Sequence, residues 1–126
     1  MSAQVPYIAV VDDEAPVRTA VGRLLRLEDY EVAVFACGDE FLAALDSRRP
    51  DCVVLDINMP GLSGIDVQSR LKAAHVELPI VFITASDDPA FEQQASDSGS
   101  ALLRKPFSNE TLLQAVGNAL EKQSGR

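Results

Sequence analysis

Histidine and cysteine are scarce in this chain, with one of the first and two of the second in 126 residues. The single histidine, His75, falls at the end of a helical pattern, away from any cluster of polar residues. It is expected on the surface or in a C-terminal turn, not as a catalytic base. Cys37 and Cys52 have neither metal-ligand nor redox spacing and read as reduced, buried thiols of a cytosolic protein. Long apolar runs are also lacking, the longest being about strand length, so no membrane span is expected. Residues 1–6 are short and polar, and no signal peptide is expected. Positive charge is the minority sign: 11 Lys and Arg stand against 19 Asp and Glu, a net charge of -8. That balance argues against direct binding of nucleic acid or an anionic membrane. It leaves a cation ligand or a basic partner face plausible.

What the chain does have is an alternation. Five apolar runs, Tyr7–Val11, Glu31–Phe35, Cys52–Leu55, Ile80–Ile83 and Ala101–Leu103, have strand composition. Most are unbroken, as in strands of a parallel sheet covered on both faces. Helical patterns lie between them, carried by Val17, Val21, Leu24, Leu25 and Leu27, by Phe41, Leu42 and Leu45, and by Ile65, Val67, Leu71 and Ala74. The fourth, 88–97, is the weakest and is expected to be the most mobile. The fifth runs through Leu112, Leu113, Val116, Ala119 and Leu120, with Ser108 as its N-cap and Thr111 in its first turn. Five such units predict a doubly wound α/β sheet with helices on both faces. One domain over 1–126 is expected, its core about 7–120 and a polar tail at 121–126.

The polar residues fall at strand ends. Asp12, Asp13 and Glu14 follow the first strand, Asp56 closes the third, Thr84 closes the fourth and Lys105 follows the fifth. The intervals match whole βα units, so these groups recur at the carboxyl ends of the strands. In open parallel sheets ligands bind there. Clustered carboxylates repel, and a hard cation such as Mg²⁺ would offset them. Between that cation and Lys105, Asp56 would stay ionised and could attack an electrophilic phosphorus. Thr84 and Lys105 would stabilise the transferring group.

The segments "VVDDE" (10–14), "LDINMPGLSG" (55–64), "ITA" (83–85) and "KPF" (105–107) resemble the receiver domain of two-component response regulators, over about residues 7–120. The resemblance implies a flavodoxin-like sheet of five parallel strands in order 2-1-3-4-5. It implies Asp56 as phosphoacceptor, and Asp13, Asp56 and the Asn58 backbone carbonyl as Mg²⁺ ligands, with Asp12 acting through water. Thr84, Ala85 and Lys105 would contact the phosphate. The donor would be a phosphohistidine on a sensor histidine kinase or a phosphotransfer protein. Leu102 stands where the family usually has an aromatic switch residue. A leucine there could pack between the fourth and fifth helices and respond to Thr84 without a ring.

Each residue alone has an ordinary explanation: a helix-capping pair of acids, a turn threonine, a surface lysine. Their combination is what carries the inference. Two rivals remain. A phosphatase of the haloacid-dehalogenase type would share the Asp nucleophile, but has a second Asp where this chain has Asn58. A pseudo-receiver would lack members of the site, and none is missing. The fourth helix, fifth strand and fifth helix are expected to form the face for an output partner or a phosphorylation-dependent homodimer. At least one of Leu112, Leu113, Ala115, Val116, Ala119 and Leu120 is expected to point outward there.

Overall fold

A computed structural model describes residues 5–85, 89–90, 93 and 100–124, with side chains as far as 121. The strands are β1 (Tyr7–Val11), β2 (Glu31–Phe35), β3 (Cys52–Asp56), β4 (Ile80–Thr84) and β5 (Ala101–Arg104). The helices are α1 (Ala15–Leu27), α2 (Gly38–Ala44), α3 (Gly64–Ala73) and α4 (Asn109–Ser124). All strand pairs are parallel, in the order β2-β1-β3-β4-β5. The predicted helix over 88–97 lies outside the described residues apart from Pro89, Ala90 and Gln93. Among the described residues no helix is long and apolar enough to cross a membrane.

Strand alternation builds two cores. Ala9, Val11, Val53, Leu55 and Phe82 meet Phe41 of α2 and Val67 and Leu71 of α3. Their neighbours Ile8, Val10, Val54, Val81 and Ile83 meet Val21 and Leu25 of α1 and Leu112, Val116 and Ala119 of α4. Both faces of β1, β3 and β4 are thereby covered, which is why these strands are nearly continuous apolar runs.

β5 ends the sheet, as the order 2-1-3-4-5 implies; its run is as apolar in sequence as the central strands, yet its first and last residues are exposed. Other expectations shift. Leu27 ends α1 turned to solvent, 74% exposed, and Ala74 is the exposed C-cap of α3. Cys52 is buried, and that burial pushes its thiol up to about 12. Cys37 is only half-buried, because it is the N-cap of α2 at the rim of the sheet. The outward apolar residue expected on α4 is not found: Leu112, Val116 and Ala119 are buried, and Leu113, Ala115 and Leu120 pack against the same core. The helix crosses β3, β4 and β5, so a stripe wider than usual meets the sheet. The Ser108 cap is as expected, its Oγ accepting from the Thr111 amide at 3.1 Å. His75 is exposed, one residue beyond the α3 C-cap, with φ of 60°.

One helix start fixes the floor of the polar end. Ser63 and Asp66 form a reciprocal capping box at α3. Gly64, the first residue of α3, brings that helix against the end of β3. A Cβ at Gly64 would lie 2.5 Å from the Asp56 carbonyl oxygen and 2.9 Å from the Ile57 Cα. Both are backbone and cannot swing aside. Gly64→Ala is expected to lower the unfolding free energy by about 1–3 kcal/mol, as overpacking does, with urea midpoints as the measurement.

Candidate functional site

The carboxyl ends of β1, β3 and β4 are where apolar runs meet charge. Asp56 is the last residue of β3 and Thr84 the last of β4, and Asp12 follows β1 directly. All three are buried: Asp12 is 0%, Asp56 1% and Thr84 1% exposed. Asp13 is exposed at the rim beside them. One oxygen each from Asp12, Asp13 and Asp56 lies within 4.8 Å of the others. Lys105 follows β5, its amide donating to the Thr84 carbonyl at 2.8 Å.

Lys105 is the cation of the cluster. Its Nζ lies 2.8 Å from Glu14 Oε1, 3.0 Å from Asp12 Oδ2 and 3.7 Å from Asp56 Oδ2. Burial works against the ammonium charge, but the contacts to Glu14 and Asp12 outweigh it and hold the Lys105 pKa above its ordinary value. The same hydrogen bond holds the Glu14 carboxyl below its ordinary value. Asp56 moves the other way. Burial, and then the neighbouring Asp12 charge, push it up to about 7, against the opposing pull of Lys105 and the Asn58 amide.

The smaller contacts are fixed by the loops. The Asn58 amide donates to Asp56 Oδ1 at 3.2 Å, and the Thr84 hydroxyl donates to Asn58 Oδ1 at 2.5 Å. The Glu14 amide donates to Asp12 Oδ1 at 2.8 Å, and Arg18 Nη1 donates to the Asp12 carbonyl oxygen at 2.7 Å. Asp12 Oδ2 is different. It is fully shielded, and its close cation among the described residues is the Lys105 ammonium at 3.0 Å, which it shares with Glu14. A buried carboxylate oxygen so placed, beside two more carboxylates, suits a hard divalent cation bound by oxygen donors.

Thus Asp12, Asp13, Asp56, Asn58, Thr84 and Lys105 are brought together. Ala85 follows Thr84 and is exposed. The helix over 88–97, against which Leu102 was expected to pack, lies outside the described residues apart from Pro89, Ala90 and Gln93. Leu102 packs onto the core on the α2/α3 side, while its neighbour Leu103 meets the α4 side, because adjacent strand residues point to opposite faces. Three contacts were not anticipated from sequence: Glu14 to Lys105, Arg18 to the Asp12 carbonyl and the Asn58 side chain to Thr84. Glu14 and Asn58 lie inside the recognised motifs, so their position was a signal; Arg18, one turn into α1, had none.

Comparison with known proteins agrees with this geometry. The family profile of the response regulator receiver domain matches residues 8–117. The transcriptional regulatory protein TdiR of Thauera aromatica is 40% identical over 114 residues, covering 90% of this chain and 50% of TdiR. A response regulator receiver protein from Burkholderia phymatum is 44% identical with a TM-score of 0.80, covering 91% of this chain and 94% of that one. Chemotaxis protein CheY4 of Vibrio cholerae is 30% identical with a TM-score of 0.81, covering 93% and 100% respectively. The chain spans about half the length of the curated relatives it matches.

Proposed function

The chain belongs to the response regulator receiver domain family, and from that premise we propose that Asp56 accepts a phosphoryl group from the phosphohistidine of a sensor kinase or phosphotransfer protein. The observation that carries this is a buried carboxylate ending a central strand, with an ammonium 3.7 Å away and two further acids beside it. An Asp56 carboxylate oxygen forms the new O–P bond. The N–P bond of the donor breaks, and its electron pair returns to the imidazole ring, which takes up a proton from water. Lys105 meets the phosphoryl oxygens with its positive charge. Thr84 is the second donor, and its hydroxyl must leave Asn58 Oδ1 to reach them. Ala85 sits next to it, where a backbone amide can serve.

Asp13, Asp56 and the Asn58 carbonyl would hold Mg²⁺, with Asp12 acting through water; the ion would supply charge neutralisation for the carboxylates and the incoming phosphoryl oxygens. The cluster of carboxylate oxygens from Asp12, Asp13 and Asp56, lying within 4.8 Å of one another, supports this assignment. Asn58 also weighs against a phosphatase of the haloacid-dehalogenase type, since an amide cannot act as the general acid or base. The domain is read as a cytoplasmic signalling module that catalyses only its own phosphorylation and slow dephosphorylation. A change at Thr84 passes to β5 through the Thr84–Arg104 register pair. The segment 88–97, β5 and α4 are therefore read as the face toward an output partner or a second copy.

Intact mass, measured with acetyl phosphate and Mg²⁺, tests the phosphoacceptor. Wild type should gain one phosphoryl group, labile to hydroxylamine, and Asp56→Asn should gain none. Equal labelling of the two would refute the assignment. Sustained turnover of a generic phosphate ester would favour the phosphatase instead.

A further inference from the structure

Glu14 occupies the N-cap of α1, a position where short Ser, Thr, Asp or Asn side chains ordinarily accept from first-turn amides. Its side chain makes no such bond. The carboxylate instead reaches Lys105, 91 residues away in sequence, at 2.8 Å. That is the shortest of the three carboxylate contacts of this ammonium, shorter than the 3.0 Å to Asp12 and the 3.7 Å to Asp56. Glu14 is also the most exposed of the three, with 56% of its side chain accessible against 0% for Asp12 and 2% for Asp56. The ammonium therefore bridges Glu14 at the rim and buried Asp12, and stands farther from Asp56, the carboxylate it would serve.

We propose that Glu14 is a positioning residue that holds Lys105 at the rim in the resting state, so that phosphoryl acceptance requires Lys105 to pass from Glu14 to the group arriving at Asp56. This rests on the reading of Asp56 as phosphoacceptor and adds to it a brake on the reaction. The brake is one surface carboxylate competing with the reacting group for one ammonium. Since Glu14 contributes no capping bond, its removal leaves the start of α1 intact. A residue with a merely structural role there would not act through Lys105.

Two measurements test it. In metal-free ¹⁵N-labelled protein, the Lys105 ammonium resonance is identified by its loss in Lys105→Met; the only other lysines are Lys72 and Lys122. Glu14→Gln and Glu14→Ala should both shift it. With acetyl phosphate and Mg²⁺, both variants should label about two- to fivefold faster than wild type, the range an exposed ion pair can supply. In the Lys105→Met background the Glu14 substitutions should have no further effect, since the coupling runs through that ammonium. An unmoved resonance, labelling no faster than wild type, or an equal gain without Lys105 would overturn the proposal. Failure of the underlying reading looks different: Asp56→Asn would label like wild type whatever stands at position 14, and the brake would fall with it.

Discussion

In the presence of a chelator, Asp56→Asn should be more stable than wild type at pH 8, by up to about 4 kcal/mol. The Asp56 carboxyl is raised from its ordinary 3.8 to about 7, so the folded protein binds this proton more tightly than the unfolded chain does. Its stabilising contribution is then fully present below about pH 4 and is lost as pH rises through 7. Above that, the folded state carries a buried charge facing Asp12. Asparagine has nearly the same shape and can still accept from the Asn58 amide, so only the charge is removed. The gap between variant and wild type should close as pH falls toward 4. Taking the difference isolates Asp56 from Glu14 and Glu31, whose lowered pKa values make their own ion pairs weaken with acid. Urea unfolding across the pH series is the measurement. A gap that is absent at pH 8, or that widens in acid, would contradict the assigned direction.

That repulsive site was legible in the sequence for a physical reason. A carboxylate ending an apolar strand is costly unless something else requires it, so Asp56 stood out from nineteen acids. The strand-end spacing of Asp12, Thr84 and Lys105 did the rest, because a parallel sheet puts every such end on one side. The central strands were legible too, since burial on both faces leaves continuous apolar runs. The edges were legible only through the resemblance, whose strand order 2-1-3-4-5 puts β5 last; Ala101–Leu103 is apolar, and nothing local distinguishes an edge from a centre. Leu27 matched the helical period but falls on the last turn of α1, exposed past the end of the packed face. Periodicity assigns a face and says nothing of where the neighbour stops. Of the partners of Lys105, Asp56 was expected, while Asp12 and Glu14 were hidden, because three carboxylates compete for it and only distances decide among them.

Lys105→Met in chelator should cost about 3 kcal/mol at pH 8, the low end for breaking a buried pair by removing one partner. Asp12 is fully buried, and the ammonium at 3.0 Å from its Oδ2 is the compensating charge beside it. Methionine keeps an apolar side chain of similar length, so the loss is chiefly electrostatic. The low end applies because Lys105 retains 15% exposure and Asp56 can take up a proton in its place. Losing the cation raises Asp56 further, since Lys105 is one of the groups that lower it. The penalty should therefore shrink as pH falls and Asp56 takes up its proton. A second cation should replace the first. If Asp12, Asp13 and Asp56 hold Mg²⁺, the metal binds the folded state alone and stabilises it by mass action, about 2.7 kcal/mol at a hundredfold excess over its dissociation constant. Magnesium should then recover most of what Lys105→Met loses. Adding Asp13→Ala should abolish that recovery while easing the repulsion in chelator. Urea midpoints for the single and double variants, with and without Mg²⁺, read each step. Full stability of Lys105→Met in chelator would mean that the acids are not held together by this ammonium. Recovery by Mg²⁺ that survives Asp13→Ala would take Asp13 out of the metal site.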